Sequence, residues 1–596
     1  MLKRLLSGNE AVARGAWEAG VRVASGYPGT PSSEILENLA RYDGLYAEWA
    51  PNEKVAVDVA IGAAYAGARA LAVMKHVGLN VAADAFFYAS MTGAEAGLLI
   101  VVADDPGMHS SQNEQDSRRY AQFARVPCLE PADSQEAKDL VALGLELSER
   151  FDTPVLLRTT TRIAHSSSLV ALGEPPAPSA AKAYRVDASK YVMVPANARR
   201  RHPVIEERIT ALSAWADEAP CNRLEWRGRR LGIVASGVAY QYAREVFPEA
   251  STLKLAMTYP IPAGLVRTLA AGVERLLVLE ELDPFLEEQI RLLGIHTEGA
   301  AIFPRCGELD PTVVRESAIR AGILPAMDTA QQPTFTENGI RSLPARPPVL
   351  CAGCPHRAVF YVLRKLNLVV NGDIGCYTLG YLPPLSALHT QGCMGASISV
   401  AHGVAQAGSP QQNVAVLGDS TFLHSGIPGL LNVAYNQGRT LTIILDNETT
   451  AMTGHQPHPA TGRTLRGQET VRVDLAALAR ALGIAHVQTV DSYDLRAVEQ
   501  AVRAALSAQA PAVIVAQRAC ALLPGVRPTW HALAIDPQRC NGCGRCFELG
   551  CPALSRSKQT AHNGRALAQI DPLQCTGCAV CAQVCARGAI KGDQEA

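Results

Sequence analysis

Hydrophobic and polar positions along this chain fall into two alternating patterns. Short, nearly unbroken apolar runs rich in β-branched residues, "LLIVVAD" (98–104), "LGIVASG" (231–237), "RLLVLEE" (275–281), "NVAVLGD" (413–419) and "LTIILDN" (441–447), are separated by longer Ala- and Leu-rich stretches of helical character. A strand buried on both faces reads as a continuous apolar run, and strands alternating with helices predict parallel sheets covered by helices on both sides. The pattern breaks twice. "GEPPAPSAAKA" (173–183) and "PAMDTAQQPTFTENGIRSLPARPP" (325–348) are rich in Pro and Ala and poor in periodic apolar positions, so both are expected to be linkers. They leave three large α/β blocks and a tail in which cysteine displaces the hydrophobic pattern.

Composition narrows the class. With 596 residues, the length suggests about four domains of roughly 150 residues each. Hydrophobic residues make up 48%, charged residues 19%, and the net charge is -1, which argues against a nucleic-acid-binding surface or a disordered acidic chain. Small molecules and proteins are the expected partners. The start, "MLKRLLSGNEAV", lacks an apolar signal core, and runs such as "AGLLIVVA" (96–103) fall far short of the ~18 residues that span a bilayer. A soluble, cytoplasmic protein without membrane or nucleic-acid partners is expected. Of sixteen cysteines, twelve stand at 351, 354, 376, 520 and in two C-terminal runs, mostly with C-x-x-C spacing, which suits metal ligation in a reducing compartment better than disulfides. Cys128, Cys221, Cys306 and Cys393 lack such spacing and read as buried or incidental thiols.

The tail carries the sharpest chemistry. Its first run is C-x2-C-x2-C-x4-C-P (Cys540, Cys543, Cys546, Cys551) and its second C-x2-C-x2-C-x3-C (Cys575, Cys578, Cys581, Cys585). In two-cluster ferredoxins three close thiolates grip one cubane and the fourth of each run ligates the other. The expected [4Fe-4S] sets are therefore Cys540, Cys543, Cys546 with Cys585, and Cys575, Cys578, Cys581 with Cys551. Structural zinc also uses C-x2-C pairs, but has no use for a tight triplet followed by a distant fourth. The four-residue gap before Cys551 and Ala586 in place of a proline depart from the usual pattern without removing a ligand.

A source for the electrons appears upstream. The run "NVAVLGD" ends in Gly418-Asp419, a helical stretch follows (426–438), and "LTIILDN" ends in Asp446-Asn447. In a βαβ unit Asp419 and Asn447 would stand at the carboxyl ends of neighbouring strands, where open α/β sheets bind ligands. One charged and one amide oxygen suit a Mg²⁺ that holds phosphates. Taken alone, such residues equally often cap helices or turns.

The "GDS…DN" pair resembles the thiamine-diphosphate fingerprint, and "ETTAMTGHQPHP" (448–459) looks like the stretch that follows it in 2-oxoacid:ferredoxin oxidoreductases. The resemblance implies that Asp419, Asn447 and the Thr449 carbonyl hold Mg²⁺ against the diphosphate, with Gly418 and Ser420 beside it. Ser420 replaces a common glycine and Asp446 a common asparagine. "GYPGTPSSEI" (26–35), "EWAPNEKVA" (48–56), "MKHVGLNVAAD" (74–84) and "ADDPGMHSSQNEQDSRRYA" (103–121) closely resemble the α subunit of indolepyruvate:ferredoxin oxidoreductase, and the likeness extends over essentially the whole chain. By that likeness Glu53 is the carboxylate that pairs with the aminopyrimidine ring. Thr30 and Arg118 match positions that contact the substrate carboxylate, although "DSRR" would also allow Arg119. Each has a plainer reading: Thr30 before Pro31 as a helix N-cap, Glu53 and Arg118 as solvated charges. His76, His109, His424 and His455 fall in segments that should border the cofactor, where a hydrogen-bonded core histidine is the commoner case.

Cys351 and Cys354 in "CAGCPHR", Cys376 in "GDIGC" and Cys520 in "AQRAC" resemble, in order, the cysteines that hold a third cluster close to thiamine in related enzymes. The plainer reading is a Gly-rich loop with packed thiols. The block 205–324 resembles the transketolase C-terminal-like domain; its acidic neighbours Glu280 and Glu281 would point to opposite faces of a strand and make a poor acid/base pair. The fold expected from the resemblance is a set of doubly wound parallel-sheet domains with an α+β two-cluster ferredoxin domain. Its parts are a pyrimidine-binding domain (1–180), a linker (181–204), the transketolase-like domain (205–324), a linker (325–348), a diphosphate and Mg-binding domain (349–528) and the ferredoxin domain (529–596). The implied activity is oxidative decarboxylation of an aryl 2-oxo acid, indolepyruvate, to aryl-acetyl-CoA and CO₂. Coenzyme A would be the co-substrate, ferredoxin the electron acceptor, and a smaller β subunit the partner in an αβ or α2β2 assembly. Another 2-oxo acid, such as phenylpyruvate or pyruvate, and a noncatalytic iron-sulfur subunit are the alternatives.

Overall fold

In the computed structural model, residues 2–176, 184–326, 347–526 and 531–592 are described. Most of the linker expected at 325–348 lies outside them. The chain forms two compact units, Met1–Thr336 and Glu337–Ala596.

The first unit is built on a seven-stranded sheet in the order Met257–Tyr259, Cys128–Leu129, Val155–Thr160, Leu98–Asp104, Ala70–Lys75, Val23–Gly26, Tyr46–Trp49. All neighbours are parallel except the first pair. The run Leu98–Asp104 is buried at every position, as its unbroken apolar character predicts. The chain passes from Val23–Gly26 to Tyr46–Trp49 on one side and then to Ala70–Lys75 on the other. That reversal makes a switch point, where the strand ends splay into a crevice for ligands. The middle block forms its own four-stranded sheet, Arg275–Leu279, Leu231–Ser236, Ser251–Leu255 and Arg223–Glu225. It also lends Met257–Tyr259 to the seven-stranded sheet, so it is not closed on itself.

Two local expectations are corrected here. The segment expected as a linker at 181–204 includes the start of a 24-residue helix, Pro195–Glu218, opened by Pro195 and running through Pro203. A narrow apolar stripe, Ile205, Leu212 and Ala216, is joined by polar anchors: Arg208 donates to the carbonyls of Asp152 (2.8 Å) and Ser90 (3.1 Å), and Arg201 to that of Met91 (2.8 Å). Thr30 is not a helix N-cap, because the helix spans Ser33–Leu39 and follows Ser32. The Gly29 N–H donates to Ser33 Oγ (2.9 Å) and Ser32 Oγ to the Gly29 carbonyl (2.8 Å), which turns the loop ahead of the helix and leaves Thr30 outside it.

The second unit carries a fully parallel six-stranded sheet, Thr390–Gln391, Val369–Gly372, Asn413–Gly418, Leu441–Asp446, Ala512–Gln517, His486–Asp491. Its switch point lies between Val369–Gly372 and Asn413–Gly418, which puts the loops after Gly372 and Gly418 at the crevice. The tail adds two antiparallel pairs, Leu533–Ile535 with Ile590–Gly592 and Leu554–Thr560 with Ala566–Ile570, and two short helical turns. Leu549 and Val580 of the tail sit in the same apolar core as the six-stranded sheet. No helix among the described residues is long and apolar enough to cross a membrane.

Candidate active site and electron relay

In the second unit, Asp419 and Asn447 follow adjacent parallel strands at their carboxyl ends. Asp419 is 2% exposed. Its carboxylate accepts from the Ser420 N–H (2.7 Å) and the Glu448 N–H (2.9 Å), and the Glu448 N–H also reaches Asp446 Oδ1 (3.2 Å), so the two carboxylates share that donor. Burial, then the Asp419 charge, push the Asp446 carboxyl up to about 7. Burial opposes the Asp419 charge too, but His458 and the Ser420 N–H hold that group below the usual carboxylate range. His458 Nε2 lies 3.2 Å from Asp419 Oδ2 without the alignment of a hydrogen bond and is otherwise an orphaned buried nitrogen. Asp419 and Asp446 are buried carboxylates with no Lys or Arg ion pair among the described residues, and Asn447 and Thr449, also buried, follow Asp446 in the chain; carboxylate, amide and backbone oxygens are the donor types that Mg²⁺ takes. Ser420 Oγ receives a bond from Thr450 Oγ1 (3.0 Å), so the residue in place of the usual glycine is tied into the same loop.

The loop after the other switch-point strand brings Asp373, fully buried, and Tyr377, whose hydroxyl donates to it. Burial pushes Asp373 up to about 6, against the Tyr377 and Ser397 donors. His356, also buried, is driven down to about 4 by burial although Asp419 lies close enough to oppose it. A π-helical turn, Phe422–Gly426, follows Asp419 and is an uncommon form that recurs at functional sites. It carries the buried His424, whose Nδ1 meets Ser425 Oγ at 2.7 Å.

The cysteines gather into three groups. A small cavity is lined by Cys540, Cys543, Cys546 and Cys585. Burial, then the charges of Cys540, Cys543 and Cys585, raise Cys546 to about 11. Cys581 is raised by burial and then by Cys578, Cys551 and Cys575, which makes the second group. Cys376 goes up to about 11 through burial and then Cys520 and Cys351, and Cys354 to about 12 through burial, with Cys376 and Cys351 adding to it. As it stands, no group of three or more such side chains among the described residues is drawn up as a finished metal site. The fold supplies four-thiol neighbourhoods in which thiolates repel one another, a cost that a bound cationic cluster would relieve.

These groups adjoin. The Cys520 N–H donates to the Asn447 carbonyl (3.0 Å), and Cys520 Sγ lies 3.7 Å from His455 Nε2. Tyr493 donates to the Gly353 carbonyl (2.5 Å), and both Cys354 and Cys578 act on its hydroxyl. A Cβ on Gly353 would stand 2.1 Å from Thr576 Oγ1, so glycine is what allows the Cys351–Cys354 loop to meet the second run. Cys546 in turn acts on Cys581.

In the first unit, Glu53 opens the helix Glu53–Tyr65 after the Asn52 cap and is 5% exposed. Its carboxylate lies against Gly78 in the first turn of the helix His76–Thr92; a Cβ there would stand 2.6 Å from Glu53 Oε1. Lys75, at the end of its strand, packs its stem on Gly29 and donates to the Ser110 carbonyl (3.4 Å), while Ser110 Oγ donates to the Thr30 carbonyl (3.2 Å). Burial lowers Lys75, against Asp105 and Glu53. His76 Nε2 meets the Asn113 carbonyl at 3.2 Å, whereas the half-exposed His109 pairs with Glu308 at 3.3 Å.

Arg118 is used differently from what the resemblance implies. It is 1% exposed and paired with Asp116 (2.5 Å) and Glu280 (2.8 Å), and it also donates to the carbonyls of Glu281 (3.0 Å) and Asp283 (3.1 Å). With its donors engaged on partners from the middle block, it acts as a strut in this arrangement. Arg119 pairs with Asp283 and Glu288. Glu280 and Glu281 are both buried, and burial pushes each up to about 7.

Asp446, His458, Asp373, Tyr377, His356 and Lys75 are the neighbours that sequence reasoning missed. Two signals were available: Asp446 ends the strand of "LTIILDN", and His458 precedes the final proline of "ETTAMTGHQPHP".

Residues 14–210 match the family described as pyruvate flavodoxin/ferredoxin oxidoreductase, thiamine diP-bdg. Residues 373–516 match thiamine pyrophosphate enzyme, C-terminal TPP binding domain, and residues 532–590 match 4Fe-4S dicluster domain. The chain is 40% identical over 636 residues to indolepyruvate oxidoreductase subunit IorA of Thermococcus kodakarensis, covering 99% of this chain and 97% of that one. It is 42% identical over 618 residues to the protein of the same name from Methanothermobacter marburgensis, covering 98% and 97%. A solved 2-oxoglutarate:ferredoxin oxidoreductase from Magnetococcus marinus aligns with a TM-score of 0.45 and 16% identity over 54% of this chain and 65% of that one. With near-full-length relatives at this identity, a thiamine-binding site and a two-cluster tail, the chain belongs to the indolepyruvate oxidoreductase subunit IorA family.

Proposed function

We propose that this chain is the catalytic α subunit of a thiamine-diphosphate-dependent enzyme that oxidises an aryl 2-oxo acid, indolepyruvate. The balance is one 2-oxo acid anion and one coenzyme A thiol in, and one aryl-acetyl-CoA, one CO₂, one proton and two electrons out, the electrons going to ferredoxin. The observation that carries this reading is the bond from the Cys520 N–H to the Asn447 carbonyl, which ties an electron-relay thiol to the metal-binding loop. A simple decarboxylase would have no use for that coupling.

Thiamine diphosphate, when bound, supplies the electron sink for loss of CO₂. Gly418, Asp419, Ser420, Asn447 and Thr449 would receive its diphosphate, with Asp419, the Asn447 amide and the Thr449 carbonyl on Mg²⁺. Glu53 would hold the proton at the aminopyrimidine ring, and Thr30 would orient the substrate carboxylate. Cys540, Cys543, Cys546 and Cys585, and Cys575, Cys578, Cys581 and Cys551, would hold the two [4Fe-4S] clusters of the tail; Cys351, Cys354, Cys376 and Cys520 would hold a third. The domain limits 1–180, 205–324, 349–528 and 529–596 serve as the working division, with the linkers adjusted for the helix Pro195–Glu218. A smaller β subunit completes the enzyme as αβ or α2β2.

Anoxic coexpression with that subunit tests the reading. Indolepyruvate with coenzyme A should bleach the cluster absorbance faster than pyruvate does, and iron should number about twelve per chain for three clusters against about eight for two. Preference for pyruvate would overturn the substrate, and a complex that binds no thiamine diphosphate would overturn the catalytic role.

A further inference from the structure

Charge is handled differently in the tail from the rest of the molecule. Residues 531–592 hold seven Arg and Lys against three Asp and Glu. Two of the acids are consumed in turns: Asp536 accepts from the Gln538 N–H (2.9 Å) and Asp571 from the Leu573 N–H (2.9 Å). Ion pairs recur along the described chain up to Arg518 with Asp491, and among the described residues none involves a tail cation. Six of the seven, all but Lys591, are exposed.

Five of these cations encircle one group of thiols. Arg545 and Arg587 line the cavity shared by Cys540, Cys543, Cys546 and Cys585. Arg565 packs on Gly542, Arg539 reaches Gly588, and the Arg556 guanidinium lies 5.1 Å from the centre of the Phe547 ring. Within this collar stands Cys543, the exposed member of the tail's eight cysteines. Exposed arginines without an ion-pair partner add little to folding, and clustering them costs mutual repulsion; a collar of one sign at the surface suits recognition of the opposite sign.

From this we infer that the arginine collar around Cys543 is the docking face for a small acidic electron-carrier protein, seated over the outermost cysteine group. This rests on the proposed function, because it assigns the surface at which that enzyme would meet its ferredoxin. Arg fits carboxylate pairs through its planar fork, and long-range attraction between the faces would act mainly on the rate of encounter.

The test uses the complete complex, assembled anoxically. Binding of oxidised ferredoxin is measured without turnover by calorimetry, at ionic strengths from about 0.05 M to about 0.5 M. Activity is followed with ferredoxin and, separately, with a small viologen dye. For Arg539→Glu/Arg556→Glu, neither of which lines the cysteine cavity, and separately for Arg565→Glu on the hairpin between the two cysteine runs, ferredoxin affinity should fall about tenfold or more at low salt and lose most of its salt dependence. Viologen reduction should stay within about twofold and iron content should be unchanged. Unchanged ferredoxin affinity in Arg565→Glu together with the double variant would overturn the proposal, as would parallel loss of the viologen and ferredoxin activities. A wild-type complex that reduces neither acceptor with any 2-oxo acid would sink the functional reading as well, whereas one that reduces viologen but binds no ferredoxin sinks only the docking face.

Discussion

Two buried groups of carboxylates, one in each unit, have opposite completeness. In the first unit Asp104, Asp116, Glu130 and Glu280 surround Arg118 and Arg158, with Arg158 2.5 Å from Asp104 and 3.0 Å from Glu130. Burial penalises the Arg118 charge, yet Asp116, Glu280 and Glu130 raise Arg118 well above its ordinary value. In the second unit Asp419 and Asp446 have, among the described residues, His458 opposite and no Lys or Arg ion pair, and Asp446 rises to about 7. The first group supplies its own cations and is finished by folding. The second leaves its charge for something else to balance, and that difference separates a strut from a metal site more clearly than any single distance.

Breaking the unfinished group should have the largest effect. Asp419→Ala removes the carboxylate at the centre of the second site, and activity should fall on the order of 10³-fold or more while cluster absorbance persists. Retained activity, measured by steady-state ferredoxin reduction at saturating thiamine diphosphate and Mg²⁺, would contradict the metal role. Breaking the finished group should cost stability instead. Arg118→Met leaves Asp116 and Glu280 buried without their partner, a loss of about 3–5 kcal/mol. Thermal unfolding should show it directly, with KM for the 2-oxo acid shifted by no more than about twofold. A tenfold rise in KM at an undiminished Tm would instead return Arg118 to the substrate.

The contrast marks how far a linear reading reaches. Strands, their carboxyl-terminal acids and the cysteine groups were legible because each depends on spacing within a few residues or on a known run. The strand "LTIILDN" needed only its apolar continuity to be placed, and it is observed as Leu441–Asp446. Arg118 was not legible, because Glu280 lies 162 residues away in sequence and no local pattern announces the pair. The helix Pro195–Glu218 was hidden by its prolines and basic residues, since it docks through arginines and buries few apolar side chains. His458 and Asp446 were in quoted segments, but convergence on Asp419 belongs to the fold.

A smaller effect sharpens the comparison through pH. Asp446 has a folded pKa of about 7, above its unfolded value, so the native state without metal binds the proton more tightly. Its contribution to stability is full below about pH 4 and is lost as pH rises through about 7. Asp419, held low, works in the opposite sense at acid pH and offsets part of that change. Mg²⁺ with thiamine diphosphate should therefore raise Tm more at pH 8 than at pH 5. The strut, with its own arginines, should show no such metal dependence, and equal stabilisation at both pH values would erase the distinction.

The smallest effect tests a carboxylate of the first unit that lies outside the arginine network. Glu53 is fixed by shape: the missing Cβ of Gly78 leaves the space that its carboxylate occupies, 2.6 Å from where that atom would be. Gly78→Ala should leave the helix His76–Thr92 intact, since Ala is favoured over Gly in a helix by about 1 kcal/mol, and the strain falls on the movable end of Glu53. Activity should then drop about 10-fold with Tm held or slightly raised, because a misplaced proton-holding group costs rate rather than folding. Gly62→Ala is the control: it lies in the helix that begins at Glu53, and a Cβ there meets nothing within 4 Å. If both alanines leave the rate untouched, the packing of Glu53 on Gly78 is incidental to catalysis. If Gly78→Ala lowers Tm by as much as Arg118→Met does, Glu53 belongs with the structural charges rather than with the site.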